Sequence, residues 1–385
     1  MMLKRLSLLV FLLAIGLNIF AQDAYMDAQA EDVEKTYVGG EKYEVKTYPH
    51  TFKTKKPKNI IFLIGDGMGV SQVFAGLTAN HGRLFLDNFK HVGFSQTQST
   101  SDFITDSAAG GTALSTGVRT YNGAIAVDTE KKPIKTILEK AEEKGLATGL
   151  VSTSTITHAT PASFIAHQPN RNMYEEIAAD FLKTDIDVFI GGGKAHFTQR
   201  KDGRNLVEEF KQKGYQFEED IENIKKVKKG KLVGLIEEGD AGRLEHRKDM
   251  LPVSTETAIN ILSNNKKGFF LMVEGSQIDW GGHAGSTIYI VEDMLDFDKV
   301  VGKALDFASK NRETLVVVTA DHETGGMAIT GGDFETGMVK ADYPLGGHTA
   351  VMVPVFAYGP GAEEFGGIMK NTDVNKKMEK LLLNK

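Results

Sequence analysis

The sequence predicts an α/β fold, a three-layer sandwich whose central, mostly parallel β-sheet is covered by helices on both faces. Three observations carry this. Six short segments are almost continuously apolar, segments of helical period lie between them, and several apolar runs end in an acid or a histidine. Near-continuous apolar strands belong to sheets buried on both sides, and amphipathic helices supply the cover. At 385 residues, the chain suffices for one large domain with insertions, or for two.

The first element is a leader. In 1-MMLKRLSLLVFLLAIGLNIFAQDA-24, Lys4 and Arg5 precede an apolar run that ends in small residues. That is the layout of a secretory signal peptide, with cleavage expected after Ala21. No other apolar run approaches the ~20 residues a membrane span needs, so an exported chain without a membrane anchor is expected. Cleavage removes two cations and no acid, taking the formal charge from −6 to −8. That balance argues against nucleic acid or an anionic membrane as partner, and no nucleic-acid-binding module is expected. The absence of cysteine fits a fold that does not rely on disulfides. Residues 22–47 are polar and irregular and read as a disordered lead-in, with the folded domain expected over 48–385.

Order begins with 58-KNIIFLIGDG-67, an apolar strand ending in Gly-Asp-Gly. Comparable strands are expected at 145-GLATGLVST-153, 187-DVFIGGG-193, 268-GFFLMVEG-275, 314-TLVVVTADHE-323 and 350-AVMVPVFAYG-359. Helices are expected at 133-PIKTILEKAEEK-144, 255-TETAINILS-263 and 288-IYIVEDMLDFDKVVGKALDFA-308. Residues 198–247 depart from this regime. They are highly charged around 221-IENIKKVKKGK-231 and read as a surface insertion whose basic run is solvated.

Chemistry enters through the strand ends. Asp66 follows the first strand, Glu274 ends 269-FFLMVE-274, and Asp321 and His322 end 315-LVVVTADH-322. Ligands of open parallel sheets bind outside the carboxyl ends of the strands. A lone acid there could be a helix cap. Three after buried apolar runs must be paired or metal-bound. In 279-DWGGH-283 an acid and a histidine lie four apart, with glycines that permit a tight backbone path, and His348 stands just before a strand. Carboxylates with imidazoles suit zinc, whereas an all-oxygen pocket suits magnesium. The histidines at 50, 81, 91, 196 and 246 have no comparable context and read as ordinary polar or core residues.

The stretch 105-TDSAAGGTA-113 sets Ser107 after an acid and before five residues of minimal bulk. Asp106 or Ser107 can cap a helix whose first turn lies close to other backbone. The free N–H groups of such a turn suit a phosphate, and a bound cation would activate the hydroxyl.

With these residues in view, the chain resembles the alkaline phosphatase family. The nucleophile signature reads 104-ITDSAAGGT-112 and the first metal-binding strand 61-IFLIGDGMG-69. Further blocks are 157-THATPASFIAHQPNR-171, 271-LMVEGSQIDWGGH-283, 319-TADHETGG-326 and 346-GGHTAVMVP-354, all in family order and spanning 58 to about 385. The resemblance implies an alkaline-phosphatase-like sandwich that hydrolyses phosphate monoesters through a phosphoserine on Ser107. It implies one zinc site of Asp279, His283 and His348, and a second of Asp66, Asp321 and His322. A third site, usually magnesium, would share Asp66 with Thr160 and Glu274. Arg171 matches the phosphate-clamping arginine, whose planar fork donates two parallel hydrogen bonds.

Two positions depart from the enterobacterial branch of the family, which carries aspartate and lysine where this chain has His158 and Trp280. His158 puts the identity of the third metal in question. Trp280 replaces a cation near the phosphate with a flat apolar wall. The stretch 328–347 is too short for a large crown domain, so a small crown-like insertion is expected. Among other members of the superfamily, a sulfatase would need another context after the nucleophile, and Ser107 is followed by Ala-Ala. A cofactor-independent mutase is expected in the cytoplasm, against the leader. Phosphodiesterase activity stays open as a minor activity. Intact Ser107 and Arg171 weigh against a non-catalytic metal- or phosphate-binding protein. Family members are commonly homodimers. The Ala-Gln after the apolar run resembles Gram-negative leaders, so the periplasm is the expected location.

Overall fold

The computed structural model describes residues 32–383, so the leader expected over 1–21 and the first part of the 22–47 segment lie outside the described residues. Ten strands form the main sheet: β1 Asn59–Gly65, β2 His91–Gln96, β3 Ala147–Thr155, β4 Val188–Gly192, β5 Gln216–Glu218, β6 Leu232–Leu235, β7 Phe269–Gly275, β8 Thr314–Thr319, β9 Val353–Tyr358 and β10 Gly367–Lys370. Their spatial order is β10-β2-β9-β8-β1-β7-β3-β4-β6-β5. Strand β9 runs antiparallel to both neighbours, and every other pairing is parallel.

Alternation along the central strand builds the three layers. Ile61 and Leu63 of β1 belong to one apolar cluster, with Leu251, Ile259, Ile290 and Phe297 of the helices Met250–Leu262 and Thr287–Asn311. Ile60, Phe62 and Ile64 point into the other, with Ala108, Leu138 and Met378 of the helices Ser107–Thr116, Ile137–Glu143 and Asn371–Leu382. All five β1 residues are fully buried, each contributing roughly 1.5–3 kcal/mol over an exposed position.

The six apolar runs become β1, β3, β4, β7, β8 and β9, while β2, β5, β6 and β10 escape a search for such runs. The edge-side strand β2 buries only alternate residues, β10 exposes most of its four, and β5 has three. The charged segment 198–247 is more than a surface excursion. It supplies β5 and β6, extends the sheet, and buries Leu206, Phe210, Ile224 and Leu232. Its lysines at 225, 226, 228 and 229 do remain exposed.

The described part of the lead-in is also ordered. Thr36–Tyr37 pairs with Met338–Asp342, which pairs with Ala328–Asp333, making a small three-stranded sheet of the expected crown-like stretch. The Tyr43 hydroxyl donates to Asp298 Oδ2 at 2.6 Å, and Tyr43 N donates to Asn80 Oδ1 at 2.9 Å. Polar composition concealed these anchors because they are single tyrosines rather than an apolar run.

Candidate active site

Three adjacent parallel strands set the site. In register, Ile64 of β1 lies beside Glu274 of β7 and Thr319 of β8, so their carboxyl ends fall on one edge. Asp66, Glu274, Asp321 and His322 are thereby brought together, each at most 1% exposed. The 279–283 stretch lies in a helix, Gln277–Ala284, whose period places Asp279 and His283 on one face. Its glycines serve close packing. A Cβ on Gly281 would meet Ile290 N at 2.8 Å, and one on Gly282 would meet Thr324 Cβ at 2.8 Å.

Ser107 is the first residue of the helix Ser107–Thr116, capped by Asp106, whose Oδ1 accepts from Ala109 N at 2.9 Å. The small residues explain themselves by contact. A Cβ on Gly110 would stand 3.0 Å from Asp321 Cβ, and one on Gly111 3.1 Å from Ser163 Cβ. Bulk at either position would push Ser107 from the strand edge. Asp106 Oδ2 accepts from Gly123 N at 2.9 Å and from Arg171 Nη1 at 3.1 Å, holding the guanidinium beside the serine. The Arg171 side chain is only 17% exposed.

Tautomers show where cations fit. His283 Nδ1 donates to Gly346 O at 2.7 Å, and His348 Nδ1 donates to Thr105 O at 2.9 Å. With Nδ1 committed to a carbonyl, each ring turns Nε2 inward, and these two nitrogens lie 3.2 Å apart. Asp279 stands beside both, 3.4 Å from His283 Nε2 and 3.5 Å from His348 Nε2. Thr324 Oγ1 donates to Asp279 Oδ1, so His322 Nδ1, 3.3 Å away, must donate to Thr324. His322 Nε2 consequently presents a lone pair to Ser107 Oγ at 3.2 Å, Asp321 Oδ2 at 3.2 Å and Asp66 Oδ1 at 3.4 Å. Asp66 Oδ1, Asp321 Oδ2, Glu274 Oε1 and His158 Nδ1 are buried with no hydrogen-bond partner. Buried polar atoms packed this closely without partners need protons or a cation among them.

The donor atoms group as Asp279, His283 and His348; as Asp66, Asp279 and His322; and as Asp66, His158 and Glu274, each within 4.8 Å. Thr160 Oγ1 joins the last by donating to Asp66 Oδ2 at 3.3 Å. Burial, then mutual repulsion with Asp321, Asp279 and Glu274, raises Asp66 far above the carboxylate range. Burial and Asp279 likewise raise Asp321. Burial holds His322 and His348 below the usual imidazole value and takes His158 to about 3, the form in which imidazole binds metals. Burial opposes protonation of His283 too, but the Asp279 charge prevails and lifts it to about 9.

Trp280 is half-buried and meets His158 edge-on, ring centroids 6.3 Å apart. Residue-by-residue reading missed Thr324, which links two of the donor groups, and also Tyr174, His196 and Asp240, which line the same cleft. Only for Thr324 was there a signal, its place two residues after His322.

An α/β sandwich with a serine at a helix N-terminus, facing a buried cluster of unpaired acids and imidazoles, has the architecture of a metal-dependent hydrolase. The alkaline phosphatase family profile matches residues 57–343. "Alkaline phosphatase 3" of Bacillus subtilis is 36% identical, covering 98% of this chain and 97% of its own. The Escherichia coli alkaline phosphatase is 32% identical over 83% of this chain and 85% of its own. The alkaline phosphatase of the Antarctic bacterium TAB5 superimposes with a TM-score of 0.81 at 41% identity, covering 86% of this chain and 99% of its own. A His-to-Asp variant of that enzyme, described with Mg bound in the M3 site, scores 0.80 at 40% identity with the same coverage. The chain belongs to the alkaline phosphatase family and is a phosphatase.

Proposed function

We propose that the protein hydrolyses small phosphate monoesters through a phosphoserine on Ser107, with two zinc ions and a third metal. The observation that carries this is the Ser107 hydroxyl 3.2 Å from His322 Nε2 at a helix N-terminus, among carboxylate oxygens that have no partner. Asp279, His283 and His348 would hold one zinc, and Asp66, Asp321 and His322 the other, since each set mixes carboxylate oxygen with imidazole nitrogen. Asp66, Thr160 and Glu274 would hold magnesium, with His158 beside them. When bound, the zinc ions supply Lewis acidity at the serine and leaving-group oxygens, and the third metal orders water near Ser107.

The chain's own residues then divide the work. Ser107 Oγ loses its proton and attacks phosphorus in line, the bond to the ester oxygen breaks, and that oxygen takes up a proton to depart as the alcohol. Arg171 donates in parallel to two non-bridging oxygens while Asp106 holds its Nη1, and the helix N-terminus adds N–H groups and partial positive charge. Water attacks from the vacated side, the P–Oγ bond breaks, and phosphate leaves with Ser107 restored. Trp280 walls the cleft without adding charge.

His158 adds a constraint. Arg171 Nη2 lies 3.2 Å from His158 Nε2, and a guanidinium can only donate, so the neutral ring carries its proton on Nδ1. Ligation through Nδ1 therefore requires Arg171 to let go, as it would on turning to phosphate. Magnesium in the M3 site of the TAB5 His-to-Asp variant supports a link between this kind of position and metal choice. Export to the periplasm and assembly as a homodimer complete the proposal; among the described residues no helix is long and apolar enough to cross a membrane.

The test is hydrolysis of a chromogenic monoester by dialysed enzyme, with elemental analysis and mass spectrometry of substrate-treated protein at acidic pH. Monoester turnover, about two zinc per chain and phosphate on Ser107 are expected, with Ser107→Ala losing roughly 10⁴-fold or more in kcat at unchanged metal content. Phosphate on another residue, or active enzyme without zinc or a replacement transition metal, overturns the mechanism.

A further inference from the structure

The cleft above Ser107 exceeds what a phosphate group fills. It measures about 760 Å³, and its lining runs from Ser107 and Arg171 to Trp280, Tyr174, His196 and Asp240. Tyr174 and His196 stack with ring centroids 4.7 Å apart and planes within 5° of parallel.

The pair is built into the scaffold. Tyr174 opens the helix Tyr174–Asp180, three residues after Arg171, so one segment carries both the clamp and the ring. His196 sits on the short helix Lys194–Thr198, entered through Gly193 at φ +88°. Gly193 N donates to Gly239 O at 2.7 Å and Lys194 N to Glu237 O at 2.9 Å, tying that helix to the loop after β6. His196 Nδ1 is 2.6 Å from Thr157 Oγ1, one residue before His158. Burial disfavours the charged form of the His196 ring. A stack fixed from three directions can receive a planar group at little ordering cost.

We propose that the Tyr174–His196 pair, with Trp280, is a leaving-group subsite that selects nucleoside 5′-monophosphates through their base. The inference rests on the phosphomonoesterase reading above. Base-on-aromatic stacking is strong and tolerant of base identity. The charges in the outer cleft narrow the class further. Asp102 and Asp240 line it, and Arg171 is the one Lys or Arg among the lining residues. Carboxylates there accept hydrogen bonds from sugar hydroxyls or base N–H groups and repel leaving groups that carry a further phosphate.

Adenosine 5′-monophosphate and ribose 5-phosphate separate the subsite from the chemistry, because both release a primary alcohol. For the metal-loaded enzyme, kcat/KM for the adenosine ester should exceed that for ribose 5-phosphate roughly tenfold. Tyr174→Ala should bring that ratio toward one, and Tyr174→Phe should retain it. Free adenosine should compete with a chromogenic monoester far better than free ribose does, a measurement that needs no variant. Turnover of both esters with a ratio near one, or a ratio that Tyr174→Ala does not move, overturns the subsite alone. Turnover of neither ester overturns the hydrolase reading and the subsite with it.

Discussion

Two regions of this molecule bury clusters of acids, and they resolve the repulsion differently. On the long helix Thr287–Asn311, Asp293 and Asp296 are 3% and 2% exposed, and Arg247 lies between them. Its Nη1 donates to Asp296 Oδ2 at 2.7 Å and its Nη2 to Asp293 Oδ1. Burial still lifts Asp293 to about 7, so two acids facing one arginine come close to neutrality. At the strand edge, Asp66, Glu274, Asp279 and Asp321 have histidines and serines about them, and the nearby Arg171 spends its Nη1 on Asp106. The helix cluster carries its own cation, whereas the strand-edge cluster groups donor atoms closely enough to hold a metal ion. Counting buried acids does not distinguish the two, and neither do unpartnered oxygens, since Asp293 Oδ2 has no partner either. What differs is that Arg247 sits between the acids of one cluster, while among the described residues no Lys or Arg donates to those of the other.

Between the two clusters, the larger effect on activity should come from replacing an acid at the strand edge. Asp279→Ala leaves two imidazoles facing each other without their carboxylate, and kcat/KM should fall by about 10³-fold or more as zinc is lost to dialysis. Elemental analysis beside the kinetics checks this, and retained zinc with full activity would contradict the comparison. Arg247→Met should do the reverse, keeping zinc content and the KM of the folded enzyme while costing about 3–5 kcal/mol in urea unfolding, because it strands two buried acids. A triple replacement of Arg247, Asp293 and Asp296 by apolar residues should recover much of that loss.

Removing the metals sharpens the contrast through pH. His283 is raised from 6.5 to about 9, so the stability it contributes is full below pH 6.5 and is lost as pH rises through 9. Asp66 and Asp321 are raised also. An acid with a raised folded pKa favours folding at low pH and opposes it as it ionises, which is the same sign. Chelated protein should therefore lose thermal stability between pH 7 and 9, and metal-loaded protein should lose much less. A Tm gap between the two forms that stays constant over that range would refute this. The smallest effect concerns His158. With both zinc sites filled, His158→Asp should bind activating magnesium more tightly and lose sensitivity to added zinc, because aspartate prefers the harder ion. Equal activation midpoints in wild type and variant would leave His158 as a partner of Trp280 and Arg171 only.

Much of the fold was legible because its central strands are buried on both faces and announce themselves as apolar runs. The runs that became β1, β7 and β8 also located Asp66, Glu274, Asp321 and His322, since an acid at the end of such a strand has one edge to occupy. The outer strands stayed hidden. The LVGL of β6 is fully buried but only four residues long, and lies in a charged segment. The HVGFSQ of β2 shows only a one-sided pattern.

By itself, then, the sequence determined the parallel core, the strand-end acids, the Asp279–His283 pair and the small-residue run at Ser107. Each is a local pattern in which spacing dictates placement. Tertiary structure alone decided that Gly110 and Gly111 serve contacts with Asp321 and Ser163, and that Thr324 joins His322 to Asp279. It alone brought His196 onto Tyr174, three residues from Arg171. Apart from Thr324 with His322, those contacts join residues 22 to more than 200 positions apart, and no local period encodes which distant surface a side chain will meet.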